Sequence, residues 1–158
     1  MFRNLRILLP MPKNYIYNYA TLNNDVRHNL QVGTTISVIR KITREDILKF
    51  AELTNDFNPI HTKDNEPIVH GALLNGILSG VLGTKLPGPG TIVLEQQLNY
   101  KNPCYAGDSV EIIVKVLSVR KIIKCSWKLI ANGERIVLEG EGKFILTKVD
   151  DNHLNKVL

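Results

Sequence analysis

Apolar positions along this chain follow two periods. Residues 34–42, TTISVIRKI, mix β-branched and polar residues as a strand with one wet face does. Thr43 to Asp46 then reads as a helix start: Thr43 can cap, and Glu45 and Asp46 sit where the helix dipole favours acids. Ile47, Leu48, Phe50, Ala51 and Leu53 supply an apolar stripe at helical spacing. Pro59 disfavours helical backbone at Asn58, so this helix is expected to stop near Thr54. Residues 71–86, GALLNGILSGVLGTKL, carry apolar residues on nearly every side of a helical projection and predict a buried helix. It is too short to span a bilayer. Gly76, Gly80 and Gly83 lower its helix propensity, which is explained if the helix lies close against a sheet. The PGPG run at 87–90 ends it.

The remaining apolar runs predict four strands, at 91–100, 108–119, 122–131 and 134–148, with Asn132-Gly133 marking a type I′ hairpin between the last two. The order is strand, helix, loop, buried helix, then an antiparallel run. An antiparallel sheet curled around one apolar helix, an α+β arrangement, fits that order. Its exposed edges make dimerisation the expected way to cover them.

Composition narrows the class. The chain has 158 residues, 44% of them hydrophobic, with a mean hydropathy of −0.05, which suits one domain with a real core. Cys104 and Cys125 are too few for a disulfide framework and lack metal-pair spacing, so both are expected as reduced structural thiols. The net charge is +5, and Arg3, Arg6 and Lys13, the only formal charges before Asp25, supply three of those positive charges. The rest of the chain is only mildly basic, with Lys and Arg scattered through predicted strands, which argues against a nucleic-acid surface. Basic residues without acidic ones over residues 1–24 resemble a mitochondrial presequence, the alternative being the N-terminus of a cytoplasmic protein. The organisation expected is a presequence-like segment at 1–30, one domain at 31–149 and a polar tail at 150–158. His28 and His153 fall in the two ends and are not assigned chemistry.

Candidate chemistry concentrates in FAELTNDFNPIH, residues 50–61. Asp56 and His61 come after the first helix, five residues apart, and an Asp with a neutral His makes an acid–base pair near neutral pH. Asn58 can hold either one, or a water, and Asn55 tolerates the left-handed backbone of a helix end. The same residue types also make an ordinary helix-ending turn. Gly71 opens the buried helix, where free N–H groups and the positive dipole end could receive a carbonyl oxygen; equally, a glycine there could serve tight packing. His70 beside it is expected to support the site. Ser79 lacks a nucleophile context and is expected to be packed or bonded back to its helix; Trp127 and Tyr100 are expected in the core.

TNDFNPIH resembles the Asp-x-Asn-Pro-x-His motif of the MaoC-like, type 2 enoyl-CoA hydratases. IVHGALLNGILSGVLGTKLPGPG is similar to the His-Gly start of their central helix and the loop beyond, the GTK-x-PGPG segment being most like the mitochondrial 3-hydroxyacyl-thioester dehydratases of that family. The resemblance implies a hot-dog fold, a homodimer and reversible syn elimination of water from a (3R)-3-hydroxyacyl thioester. It implies Asp56 and His61 as the catalytic pair, Asn58 orienting the pair or its water, and Gly71 N–H, with His70 beside it, at the thioester oxygen. It implies no metal and no cofactor, and a substrate carried on acyl carrier protein in mitochondrial fatty-acid synthesis or on CoA; no nucleic acid or membrane is implied as a partner. A hot-dog thioesterase and a non-catalytic hot-dog subunit are the competing readings. Asn55 stands where the family usually has Gly, and both accept positive φ. Only eight residues separate His61 from His70, fewer than the family generally has, so how His61 sits relative to Gly71 is left to the tertiary structure.

Overall fold

The computed structural model describes residues 30–62 and 65–147; the presequence-like segment except Leu30, which is buried in the core cluster, the tail, His28 and His153 lie outside the described residues. The elements are β1 (Thr35–Lys41), α1 (Arg44–Thr54), α2 (Pro59–Thr62), α3 (Gly71–Thr84), β2 (Thr91–Tyr100), β3 (Ser109–Val119), β4 (Ile123–Ala131) and β5 (Arg135–Leu146). The strands make one antiparallel sheet in the order β1-β3-β4-β5-β2. Alternation is strict on β4, where Ile123, Cys125, Trp127, Leu129 and Ala131 all point inward and are buried. Val110, Ile112, Val114 and Val116 do the same on β3. The predicted hairpin is present: Asn132 and Gly133 have φ of 53° and 77°, the sign that a type I′ turn requires at both central positions.

Helix α3 packs on the inner face of this sheet. Leu74, Ile77, Leu78, Val81 and Leu82 form its buried stripe and join the main core cluster; each contributes about 2 kcal/mol by leaving water. Three expectations are corrected here. A Cβ built on Gly76, Gly80 or Gly83 would meet nothing within 4 Å, so these glycines are not the points of closest approach to the sheet. Ser79 is exposed beside Gly76 and Gly80, which removes the packed alternative of the two expected for it. The apolar residues cluster on one face in space although the projection places some on most sides. Close approach to glycine occurs instead on β5, where a Cβ at Gly142 would fall 2.6 Å from the Glu95 carbonyl oxygen and 3.0 Å from the Trp127 ring. Trp127 is 2% exposed, as predicted, whereas Tyr100, at the end of edge strand β2, is about half exposed and not a core residue.

The Asp108 carboxylate ties the loop before β3 to the hairpin. It accepts from Tyr105 N–H (2.8 Å), Asn132 Nδ2 (2.7 Å) and Arg135 Nη2 (2.5 Å). Burial alone would push this carboxyl up, but those three donors outweigh it and hold Asp108 below the ordinary carboxylate range.

Candidate active site

The site begins at the end of α1. Thr43 and Asp46 form a reciprocal capping box at its start, with Thr43 N–H donating to Asp46 Oδ2 at 2.9 Å and Asp46 N–H to Thr43 Oγ1 at 3.1 Å. Ile47 and Ala51 seat the helix in the core. It ends at Thr54 because Asn55 takes φ 58°, the left-handed conformation, and Asp56 N–H donates back to Ala51 O at 3.1 Å. The chain therefore turns away at Asp56, three residues before the proline can act.

Beyond Asp56 the chain does not form the open loop expected from the sequence. Asp56 Oδ1 accepts the Asn58 N–H at 3.3 Å, Asn58 Oδ1 accepts the Ile60 N–H at 3.4 Å, and Pro59 occupies the first position of the one-turn helix α2, which carries His61. Asn58 thus commits its carboxamide oxygen to the first turn of α2. Residues 68 and 69, ahead of α3, bond back to α2 and across to Cys104. Ile68 N–H donates to Ile60 O at 3.0 Å, Val69 N–H to Cys104 O at 2.7 Å, and His61 Nδ1 lies 2.6 Å from Ile68 O. A carbonyl only accepts, so His61 carries a proton on Nδ1, and in the neutral ring the lone pair is on Nε2.

His70, 2% exposed, sits at the cap position of α3. Its ring stacks on His61 with centroids 3.8 Å apart and planes 26° apart, and meets Phe50 at 5.0 Å. Its Nε2 lies 3.1 Å from the Asp56 carbonyl oxygen and 3.9 Å from Asp56 Oδ2. One donor atom each from Asp56, His61 and His70 falls within 4.8 Å of the others, so these three could also hold a metal ion. The Asp56 carboxylate is half exposed.

His61 and Gly71 line one cavity of about 390 Å³, with Ile68, Val69, Leu74, Tyr100 and Cys104 among its walls. Gly71 N–H, at the first turn of α3, has no partner one turn back in the helix. Tyr100 covers this glycine: its hydroxyl donates to Gly71 O at 3.2 Å, and a Cβ on Gly71 would fall 2.9 Å from the Tyr100 ring. Of the two reasons for a glycine here, the contact with the Tyr100 ring supplies close packing. Burial, with a smaller effect from Asp108, pushes the Cys104 thiol up to about 12, and burial does the same for Cys125; neither is a nucleophile near neutral pH. A groove of about 610 Å³, lined by Glu134, Arg135 and Glu139 among others, holds none of the predicted site residues.

Of the predicted residues, His61, His70 and Asp56 come together, and Gly71 shares the cavity of His61. Two features escaped sequence reading. Helix α2 was signalled only by Asn58-Pro59, a cap followed by a favoured first residue. Tyr100 carried no signal, since nothing local connects the end of β2 to the start of α3.

Residues 25–134 match the family described as MaoC like domain. The 3-hydroxybutyryl-CoA dehydratase of Methylorubrum extorquens is 35% identical over 136 residues, covering 78% of this chain and 85% of that protein. The mitochondrial 3-hydroxyacyl-[acyl-carrier-protein] dehydratase of Arabidopsis thaliana is 29% identical over 135 residues, covering 77% and 80%. The solved (R)-hydratase from A. caviae involved in PHA biosynthesis superposes with a TM-score of 0.71 at 33% identity, covering 75% of this chain and 98% of that one. A hot-dog-like protein from Thermanaerovibrio acidaminovorans, 18% identical with a TM-score of 0.57 and covering 85% and 94%, shares the fold. The sheet wrapped on α3 is a hot-dog fold.

Proposed function

The chain belongs to the MaoC-like domain family, and from that premise we propose that residues 31–149 form a hydro-lyase domain that interconverts a (3R)-3-hydroxyacyl thioester and its trans-2-enoyl form. The observation that carries this reading is the shared cavity: His61, whose Nδ1 is engaged by the Ile68 carbonyl, and Gly71, at the start of α3, line one space. In the elimination direction the thioester oxygen takes the Gly71 N–H, which stabilises the enolate that forms when C2 loses its proton. His61 Nε2 takes that proton. Asp56, in its acid form, protonates the C3 hydroxyl, which departs as water as the C2–C3 double bond forms. The proton on His61 then returns to Asp56 and resets the pair. A syn elimination requires both groups on one side of the substrate, and the reading rests here on Asp56 and His61 both meeting His70, Asp56 Oδ2 at 3.9 Å and the His61 ring at 3.8 Å. Asn58 acts on the pair through the turn that it caps.

We further propose that the acyl group is carried on acyl carrier protein in mitochondria. The basic, acid-free residues 1–24 support this, as does similarity to the mitochondrial plant dehydratase. A second reading, an (R)-specific hydratase on CoA thioesters, is favoured by the names of the bacterial relatives. A homodimer is proposed through β2, an edge strand on which Ile92, Val93 and Leu94 are each more than 40% exposed. The test is hydration of crotonyl thioesters on CoA and on acyl carrier protein, monitoring enoyl absorbance and free thiol together. Loss of absorbance without thiol release supports the hydro-lyase. Thiol release identifies a thioesterase, and no turnover on either carrier identifies a non-catalytic subunit. The faster carrier decides between the two readings.

A further inference from the structure

We propose that His70 is the positioning residue of this site, holding Asp56 and His61 at a set separation through one buried ring. The inference deepens the hydro-lyase reading and rests on it, since that reading names the pair. The two members of the pair arrive on different segments, the turn after α1 and helix α2, and no direct hydrogen bond between their side chains is needed to align them if a third group holds both.

His70 reaches each by a separate contact. On one side its Nε2 lies 3.1 Å from the Asp56 carbonyl oxygen, so Nε2 bears the proton and donates it. The grip is on main chain. It holds Asp56 in place whichever protonation state the carboxyl is in, and leaves that carboxyl, with Oδ2 3.9 Å away, free to exchange a proton. On the other side the His70 ring stacks on His61 at 3.8 Å and sets its plane, while the Ile68 carbonyl at 2.6 Å sets its edge. The ring itself is fixed by Phe50 of α1 at 5.0 Å and by a backbone rooted in α3, where His70 O accepts from Leu73 N–H (3.0 Å) and Leu74 N–H (3.2 Å). Because Gly71 is the next residue, the same anchor sets the pair relative to the oxygen-binding N–H.

Two observations separate this from simple packing. His70 stands at a helix cap, yet its side chain makes no capping bond. Its Nδ1 is buried with no hydrogen-bond partner among the described residues, a penalty that a phenylalanine of similar shape would avoid. The N–H donated to Asp56 is what a histidine adds over that phenylalanine.

The test compares His70→Phe, which keeps the ring and loses the donor, with His70→Gln, which keeps a donor at similar reach. Crotonyl-thioester hydration by His70→Phe is expected to lose about 10- to 100-fold in kcat, with KM changed by less than about threefold, because the pair is misplaced and substrate contacts are not. His70→Gln is expected to recover part of that loss. In an Asp56→Asn background His70→Phe should have little further effect, since the group it acts through is already lost. Unchanged kcat in His70→Phe, or full additivity with Asp56→Asn, overturns the proposal. Where His70→Phe does not fold, His70→Asn, whose shorter amide cannot reach Asp56, replaces it; equal rates for Asn and Gln then overturn the proposal. Nitrogen-15 histidine NMR of the unaltered protein gives a readout that needs no turnover. A proton on His70 Nε2 and a bare Nδ1 support the proposal, and the opposite tautomer overturns it. An unaltered protein that turns over no thioester overturns the hydro-lyase reading, an outcome distinct from an active protein indifferent to His70.

Discussion

Gly71→Ala separates the two reasons for a glycine at the start of α3. A methyl there would stand 2.9 Å from Tyr100 Cε1 and 3.1 Å from Cζ, closer than carbon atoms pack. Tyr100 is about half exposed at the end of an edge strand, so its ring can swing away. The move breaks the 3.2 Å bond from Tyr100 Oη to Gly71 O, worth about 1 kcal/mol, and adds a modest overpacking cost. Gly71→Ala should therefore lose about 1–2 kcal/mol of stability, read as a fall of about 2–8 °C in Tm for a chain of this size. Activity should fall much further, about 100-fold in kcat/KM, because the methyl also crowds the approach of a thioester oxygen to the N–H. Adding Tyr100→Ala makes room for the methyl. Measured against the Tyr100→Ala single variant by thermal unfolding and by crotonyl-thioester hydration, the double variant should regain the stability and not the rate. Recovery of both would refute oxygen binding at Gly71 and leave that glycine a packing residue only.

Four further predictions concern the acid–base pair, Asp108 and metal dependence. Asp56→Asn and His61→Ala should each lower kcat about 10²- to 10⁴-fold in steady-state assays; Asp56→Asn should leave Tm nearly unchanged because that carboxylate is half exposed, whereas His61→Ala also loses the bond to Ile68 O and the stack on His70; full activity in both would remove the assigned pair. Asp108→Ala should cost about 2–3 kcal/mol in urea unfolding, because Arg135, whose side chain is one-third exposed, and two further donors lose their acceptor. Since the folded-state pKa of Asp108 is lowered, its contribution is full above the ordinary carboxylate value near 3.9 and is lost as pH falls through the lower folded value, so Asp108→Asn should flatten the acid limb of a stability–pH curve. Dialysis against EDTA should leave the hydration rate unchanged; a loss restored by one divalent ion would make Asp56, His61 and His70 a metal centre instead.

Much of this molecule is legible from local chemistry. Strand β2 occupies residues 91–100 as its apolar run predicts, and α1 starts after Thr43 and stops at Thr54 because capping and left-handed residues act on their own backbone. The Asn132-Gly133 turn and the Asp56–His61 spacing are equally local. A one-turn helix such as α2 is too short to show a period, and only its cap and proline could have announced it.

Helix α2 apart, the chain by itself determined which segments are strands and helices, where each turns, and that an acid and a base come after the first helix, because those choices are made within a few residues. The tertiary structure alone decided the order β1-β3-β4-β5-β2, which face of α3 carries Gly76 and Gly80, the seat of Tyr100 over Gly71, and the stacking of His70 on His61. Those depend on side chains from segments far apart in the chain competing for one volume, and no periodicity along the sequence encodes the outcome.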